Sequence, residues 1–380
     1  METAVLLIII GLLFSLAFNS KSFYGRRRGW IAKTYLRAYS LIGLATCYLN
    51  IWIGLFILLL VYHLYKNIHG EKDVYILYTN EFLMYVGLYF AVNNLIKEWM
   101  IIYILSSIVI IGIIISCVIY YVSNYKYKLS STLLHLGPWE IYEGTTSNPN
   151  GGLGNINITQ IFISICIAII SGWVLEGYYW TVIGLLVLWY PLYKSRDNTK
   201  SWKQTGLEQG ILYIGIILCT IIMLFNIWTG LLLSCLSFIG IFYIFDDSGR
   251  LNIWKKLLKG WLVGSLKNKI FGLGVNSFRQ KAISLRCEWS NAHNEYIQVL
   301  IEYGIIGLLL LVGFIGTNLF KIYIIKNYSL LFALIVLCSS AMIYFPWKAY
   351  KEEFMQQGNI KIGYGSQLLL ILSIILIACV

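Results

Sequence analysis

Charged side chains are scarce in this chain: Asp, Glu, Lys and Arg make up 12% of its 380 residues, whereas hydrophobic residues make up 59%. A soluble globular protein has about 25% charged residues, because its surface faces water. Prolines are also few, four in all, and each lies in or beside a polar stretch. Aromatic residues, at 16%, suit a chain with many positions at a membrane–water interface. The composition therefore predicts an all-α polytopic membrane protein.

Two patterns that would point to other functions are missing from the sequence. No Cys-x-x-Cys pair or other zinc spacing occurs, and seven of the eight cysteines lie in apolar runs, where they act as small hydrophobic residues. The net charge is +12, but no basic and aromatic domain stands apart from the apolar segments, so nucleic acid is not expected as a partner. Neither a metal nor another cofactor is expected.

Eleven segments approximate a membrane-spanning helix, which needs about 20 apolar residues. They are residues 3–19, 41–65, 74–92, 100–122, 158–175, 178–193, 208–225, 228–245, 297–320, 329–345 and 367–380. The second is long enough to tilt strongly or to break near Asn50. We therefore expect one integral-membrane domain over residues 1–380, with about 11 transmembrane helices.

The orientation of these spans follows from the loop at residues 21–37. It holds six basic residues, and the positive-inside rule places it in the cytoplasm. Alternation then places residues 246–296 in the outer, periplasmic space. The outer loops hold more Lys and Arg than the inner ones, which goes against the positive-inside rule. Long loops, however, cross the membrane largely regardless of their charge. Cations on the outer face would also serve to hold an anionic substrate. Glu81 is the one clear carboxylate deep in a predicted span, which favours chemistry at the membrane surface over ion-coupled transport.

The long outer loop at residues 246–296 contains a helical pattern. Five apolar residues recur at helical spacing: Leu251, Trp254, Leu258, Trp261 and Leu262. Lys255, Lys256 and Lys259 occupy another face, and this arrangement predicts an amphipathic helix that lies in the membrane interface. Arg250 stands at its start, and a guanidinium group binds phosphate oxygens in a bidentate way.

Two further features of this loop are a glycine pair and a histidine. Gly272 and Gly274 allow the backbone to turn tightly or to approach a ligand closely. His293 precedes the apolar run at 297–320 and is suited to accept a proton near neutral pH; the alternative is an ordinary interfacial histidine, hydrogen-bonded to a neighbour. The remaining histidines have no comparable setting, and we expect them to be structural: His63, His69 and His135.

Four outer segments follow one another in a definite order. They are residues 151–157, the pair Ser195-Arg196, Ser248-Gly249-Arg250 with Trp254, and a closing set of Gly272, Gly274, His293-Asn294-Glu295-Tyr296 and residues 302–307. In this order, on a chain with about eleven predicted helices, they resemble the O-antigen ligase and O-antigen polymerase superfamily. The resemblance covers about residues 145–310, and only the last segment is specific on its own.

This resemblance implies a GT-C-like membrane enzyme that transfers a glycan from undecaprenyl diphosphate to an acceptor hydroxyl, with inversion and without a metal or other cofactor. Arginines would stabilise the departing diphosphate, and a base would accept the proton of the acceptor hydroxyl. The residues implied for the diphosphate are Arg250, Arg196, Arg279 and Arg286, the implied base is His293, and Asn294, Gly272 and Gly274 would support the site. The expected location is the bacterial inner membrane, with the active site facing the periplasm and membrane lipids around the chain.

The sequence leaves open which of two acceptors receives the glycan, and it also leaves open a second class of function. In lipopolysaccharide and surface polysaccharide biosynthesis, a ligase transfers the glycan to lipid A–core, whereas a polymerase transfers it to a lipid-linked glycan. The form of the motif at His293 favours the ligase slightly. The alternative class is a flippase or other transporter of lipid-linked oligosaccharides, in which His293 would be structural. The scarcity of charges in the predicted spans argues against it, because flipping a polar glycan needs a hydrated path.

Overall fold

The structure is a computed structural model that describes most of the predicted helices. The described residues are 41–66, 72–124, 135–136, 139–140, 156–194, 250–274, 277, 292, 294–341, 351–353, 360–362 and 372–380, with isolated positions between 215 and 229. The predicted span at 3–19, and all but isolated positions of those at 208–225 and 228–245, lie outside these residues.

The described residues are almost entirely helical, as the composition predicted. The labelled helices are α1 (Ile51–Lys66), α2 (Lys72–Leu95), α3 (Glu98–Asn124), α4 (Ile156–Leu175), α5 (Val182–Lys194), α6 (Arg250–Leu262), α7 (Leu266–Phe271), α8 (Glu295–Ile325) and α9 (Tyr328–Ser340). Two short antiparallel strand pairs accompany them: β1 (His135–Leu136) with β2 (Trp139–Glu140), and β3 (Lys351–Glu353) with β4 (Ile360–Ile362).

Two of the described helices, α3 and α8, are long and apolar enough to cross a membrane. The apolar part of α3, Glu98–Tyr120, has 23 residues, and α8 has 31. A helix of that shorter length measures about 35 Å, against a hydrocarbon core of about 30 Å. Ile102, Ile110 and Ile114 of α3 are exposed. An exposed row of isoleucines suits a lipid surface better than water.

The second predicted span is broken at Asn50. A short 3₁₀ helix at Cys47–Leu49 ends there, where the backbone is extended (φ −126°, ψ 117°). Asn50 Oδ1 then accepts hydrogen bonds from the backbone N–H groups of Trp52 (3.0 Å) and Ile53 (3.3 Å). Because these donors have no partner within α1, the asparagine acts as its N-cap. The break, rather than a continuous tilted helix, is confirmed.

The described residues divide into two compact units. The first is drawn from Met1–Lys97, Asn252–Phe320 and Ile377–Val380, and the second from Glu98–Leu251 and Lys321–Leu376. Helices α1, α2 and α7, with most of α6 and α8, belong to the first unit. Helices α3, α4, α5 and α9 belong to the second. The described residues of the predicted site therefore lie in the first unit, apart from Arg250.

In the first unit, α1 packs against both α2 and α8. Ile57 of α1 is buried with Phe90 of α2, and Phe314 of α8 packs against the same cluster. Gly313 lets α8 approach α1 closely, because a Cβ atom at this position would overlap the ring of Trp52. These contacts fix α8, which begins next to the predicted site, against the body of the unit.

In the second unit, α4 is buried on all sides from residue 159 to residue 170, and α9 packs along it. Gly172 permits this approach, because a Cβ atom there would overlap the backbone of Ser329. The Glu176 carboxylate accepts hydrogen bonds from the N–H and Oγ–H groups of Ser329, both at 2.9 Å. A carboxylate at a helix N-terminus satisfies free donors and complements the helix dipole. The turn after α4 is thereby tied to the start of α9.

Candidate functional site

Helix α6 is amphipathic, as predicted, but its apolar residues divide between two surfaces. Ile253 and Leu257 are buried with Ala292 and Ile301, and Trp261 packs against the same cluster. Leu262 and Val263 are instead 60% and 81% exposed, and Leu258 and Leu266 are also exposed. The buried face is thus used inside the protein. Among the side chains that the structure describes, Leu258, the end of α6 and the turn after it remain to meet a membrane interface; the side chain of Leu251 lies outside the described part.

The indole of Trp254 links α6 to the segment that precedes α8. Its Nε1–H donates a hydrogen bond of 2.6 Å to the backbone carbonyl of Ala292. Both residues are buried, and a buried indole N–H needs such an acceptor. Arg250 is the first residue of α6, about 6 Å along the axis from Trp254. The bond therefore anchors the helix that Arg250 begins to the residue immediately before His293.

The segment after α7 docks on a break in α8. Gly304 has φ 68° and ψ −167°, outside the helical region. In a continuous helix the carbonyls of Ile301 and Glu302 would accept bonds from the N–H groups four residues later. Here they accept them from Leu273 (3.0 Å) and Gly274 (2.8 Å) instead. The Gly272–Gly274 segment thus replaces the hydrogen bonds that the break removes.

This docking explains why glycine is needed on both sides of the contact. Gly272 has φ 81°, and a Cβ atom on it would overlap the carbonyl of Glu302 and the nitrogen of Gly304. A Cβ atom on Gly304 would in turn overlap the carbonyl of Ile270. The sequence offered two interpretations of the glycine pair, a tight turn or close approach to a ligand. The close approach that the structure shows is to the backbone of α8.

His63 of α1 holds the end of α7 from the other side. Its Nε2 lies 2.7 Å from the carbonyl oxygen of Phe271, the last residue of α7. The imidazole is fully buried, and its ring also lies edge-on to that of Tyr303. This is the structural role expected for His63. Helices α1, α7 and α8 therefore meet at one junction.

The first turns of α8 bury a polar face towards the unit's interior. Asn294, Glu295, Gln298 and Glu302 are all buried, at helical spacing. Asn294 Oδ1 accepts a hydrogen bond from the N–H of Ile297 (3.0 Å), so this residue of the predicted site caps α8. Gln298 Nε2 donates to Glu302 Oε1 (3.2 Å).

Sequence reasoning missed Gln298 and Glu302, although a usable signal was present. Glu302 lies within the predicted span 297–320. An ionisable residue inside a predicted span indicates a functional site by default. Glu302 is the first residue of the 302–307 part of the closing motif and lies near the outer end of the span, so it was used only as part of the resemblance.

The structure describes part of the predicted site. Gly272, Gly274 and Asn294 are brought together around the start of α8. The backbone of Arg250 is described as the first residue of α6, but its side chain is not. The remaining predicted residues lie outside the described part of the chain: His293, Arg196, Arg279 and Arg286. Within the described residues, no three His, Cys, Asp or Glu side chains lie close enough together to hold a metal ion.

No protein-family model, no curated protein and no solved structure matches this chain. The contacts among α6, α7 and α8 are therefore the structural basis on which a function can be argued. Their common feature is that residues far apart in sequence, Trp254, Gly274 and Asn294, converge on the first turns of one helix.

Proposed function

We propose that the chain is a multi-pass glycosyltransferase of the bacterial inner membrane, GT-C-like in fold, with its active site facing the periplasm. It transfers a glycan from undecaprenyl diphosphate to an acceptor hydroxyl, with inversion and without a metal. One observation carries the proposal. The Trp254–Ala292 bond and the docking of Gly274 on α8 gather two of the four motif segments, the one with Trp254 and the closing set, around the first turns of α8.

The chemistry makes two demands on these segments. The departing diphosphate gains negative charge, so preorganised cations should stabilise it in the transition state. We assign this role to Arg250 and Arg196, with Arg279 and Arg286 as further candidates. The acceptor hydroxyl is a weak nucleophile and needs a base in reach. We assign that role to His293, whose neighbours Ala292 and Asn294 are both held by hydrogen bonds.

Three contacts within the units support the proposed arrangement of about eleven spans. They are His63 with Phe271, Asn93 with Ala378 (2.9 Å), and Glu176 with Ser329. Alternation of the predicted spans puts both members of the first pair at the outer side and both members of the other two pairs at the inner side. An odd error in the number of crossings between two partners would put them at opposite sides.

Either acceptor fits this proposal, and we favour lipid A–core over a lipid-linked glycan, as in a ligase. One observation favours the second candidate function, a flippase of lipid-linked oligosaccharides. Helix α8 is broken at Gly304 next to buried polar side chains, and discontinuous helices form the substrate sites of many transporters.

The test is glycan transfer by purified protein in nanodiscs, with an undecaprenyl-diphosphate-linked glycan as donor. Wild type, His293→Ala and His135→Ala are compared with and without lipid A–core, and products are separated on a gel. Product only with lipid A–core indicates a ligase, and a ladder from donor alone indicates a polymerase. Either should vanish in folded His293→Ala and persist in His135→Ala. Near-normal transfer by His293→Ala would rule out His293 as the base. Absence of product from wild type would favour the flippase.

A further inference from the structure

Four apolar side chains are exposed where α6 ends and α7 begins. Leu266, the first residue of α7, is 73% exposed, and Leu258, Leu262 and Val263 are exposed as well. These four residues are named the α6–α7 patch. A group of exposed apolar side chains that lie next to one another marks a surface that contacts a partner or a membrane.

The backbone of the patch can leave water at little cost. The N–H groups of Val263 and Gly264 donate to carbonyls in the last turn of α6, at 3.1 and 3.0 Å. Ser265 Oγ then accepts a hydrogen bond of 3.3 Å from the N–H of Asn268 and caps α7. Backbone N–H groups without an acceptor would make contact with lipid costly. Here the turn satisfies them internally, as a segment at a membrane interface requires.

The charges around the patch all have one sign. Residues 250–271 contain five lysines and one arginine but no aspartate or glutamate. Lys255, Lys259 and Lys267 are exposed, each within one helical turn of an exposed leucine. A second copy of this chain would bring like charges together without an acidic partner. Anionic phospholipids would instead pair with the ammonium groups, while the leucines enter the boundary of the acyl chains.

We infer that the α6–α7 patch binds anionic phospholipid headgroups in the leaflet on the side at which α8 begins. The lysines contact the lipid phosphates, and the leucines hold the turn in the interface. This surface is separate from the proposed glycan transfer and does not depend on it. It also supplies a reason for most of the basic residues at 246–296, which go against the positive-inside rule. The headgroup layer is hydrated, so the patch stays within reach of small polar reagents added on the same side.

The test measures which lipids lie against the patch in the full-length protein. Leu266→Cys, in a background whose native cysteines are replaced by alanine, is labelled with the fluorophore NBD and reconstituted in nanodiscs of phosphatidylcholine and phosphatidylglycerol. Quenching by nitroxide-labelled phosphatidylglycerol is compared with quenching by the same fraction of nitroxide-labelled phosphatidylcholine. One lysine near an anionic surface changes affinity about fivefold, so the apparent affinity for the anionic lipid should be higher by about fivefold or more. Leu262→Cys gives a second labelling site.

Two comparisons make the outcome decisive. Replacing Lys255, Lys259 and Lys267 together by glutamine should bring the ratio of the two affinities to about one, while quenching persists because the leucines remain. A label at Leu309→Cys, an exposed position of α8 within the predicted span, should be quenched equally by both lipids. Equal quenching at position 266 in the protein with its lysines overturns the inference, as does a preference that survives their replacement.

Absence of quenching by either lipid at position 266 also overturns the inference, and iodide in solution then identifies the alternative. A label that iodide quenches freely means that the patch faces water. A label shielded from iodide as well means that a second copy of the chain, or another protein, covers the patch. In each case the proposed transferase is unaffected, because the lipid contact and the transfer are measured separately.

Discussion

One indole hydrogen bond holds the helix that Arg250 begins against the segment that leads into His293. Trp254 and Trp261 lie on the same helix, two turns apart; Trp254 is buried, and Trp261 packs against the cluster formed by Ile253, Leu257, Ala292 and Ile301. They differ in their N–H groups. Trp254 Nε1–H has the Ala292 carbonyl as acceptor, whereas Trp261 Nε1–H has no acceptor among the described residues. The two tryptophans therefore form a pair on one helix that differs in this hydrogen bond, with Trp254 buried and Trp261 half-buried.

Trp254→Phe should lower the free energy of unfolding by about 1–3 kcal/mol, because the substitution leaves the Ala292 carbonyl without its donor. Trp261→Phe removes a buried N–H group that has no acceptor, so this control should be neutral or slightly stabilising. Thermal unfolding followed by circular dichroism in detergent measures both. If transfer is observed, Trp254→Phe should also reduce kcat more than Trp261→Phe. Equal loss of stability in the two variants would mean that ring volume, not the hydrogen bond, holds the contact.

Individual residues differed in how far their roles could be predicted from the sequence. The break at Asn50 could be predicted from the sequence, because a side chain that caps a helix binds backbone N–H groups only two or three residues away. The role of Gly272 was predicted only as a choice between a tight turn and close approach to a ligand, because the residue it contacts, Glu302, lies thirty residues further along the chain. The pairing of Gln298 with Glu302 follows from i, i+4 spacing. Its burial does not, since burial depends on what packs against that face.

At the scale of elements, α8 is two helical segments joined at Gly304, and α7 with Gly272–Gly274 stabilises the join. Hydropathy predicted a single span at 297–320, because both segments are apolar and the period does not change at Gly304. A glycine inside an apolar helix is also common in membrane helices. The break became visible only in the structure, where the backbone N–H groups of Leu273 and Gly274 bind the carbonyls freed at the break. Broken helices inside membrane proteins persist where another segment satisfies the freed backbone groups.

Gly272→Ala should therefore destabilise the first unit severely, by about 2 kcal/mol or more, since φ 81° is strained for alanine and its Cβ atom would overlap the Glu302 carbonyl. Gly316→Ala is the matched control on α8: nothing lies within 4 Å of a Cβ atom there, so the substitution should be neutral or stabilising by up to about 1 kcal/mol. Unfolding temperatures of the two variants in the same detergent make the comparison. A Gly272→Ala protein as stable as Gly316→Ala would show that α7 does not dock on α8.

At the scale of the whole molecule, the composition predicted a helical chain, and the apolar segments predicted the positions of the long helices that the structure describes. Orientation was harder to predict, because the outer loops of the proposed map hold more basic residues than the inner ones. The contacts of Glu176 with Ser329 and of Asn93 with Ala378 supply a constraint that hydropathy lacks. Each requires that the chain cross an even number of times between two residues that are far apart in sequence. Such pairings depend on tertiary packing, which a single sequence does not reveal.

The proposed map predicts that the two ends of α8 face opposite sides of the membrane. Val263 is exposed in the turn between α6 and α7, which the map places on the side at which α8 begins, and Lys326 is exposed in the turn after α8. In a background whose eight native cysteines are replaced by alanine, Val263→Cys should react with a membrane-impermeant maleimide added to spheroplasts. Lys326→Cys should react only after the membrane is permeabilised. Reaction of both from outside would mean that α8 does not cross. The reverse pattern would put the site in the cytoplasm, where a periplasmic transferase has no acceptor, and would contradict the proposed function directly.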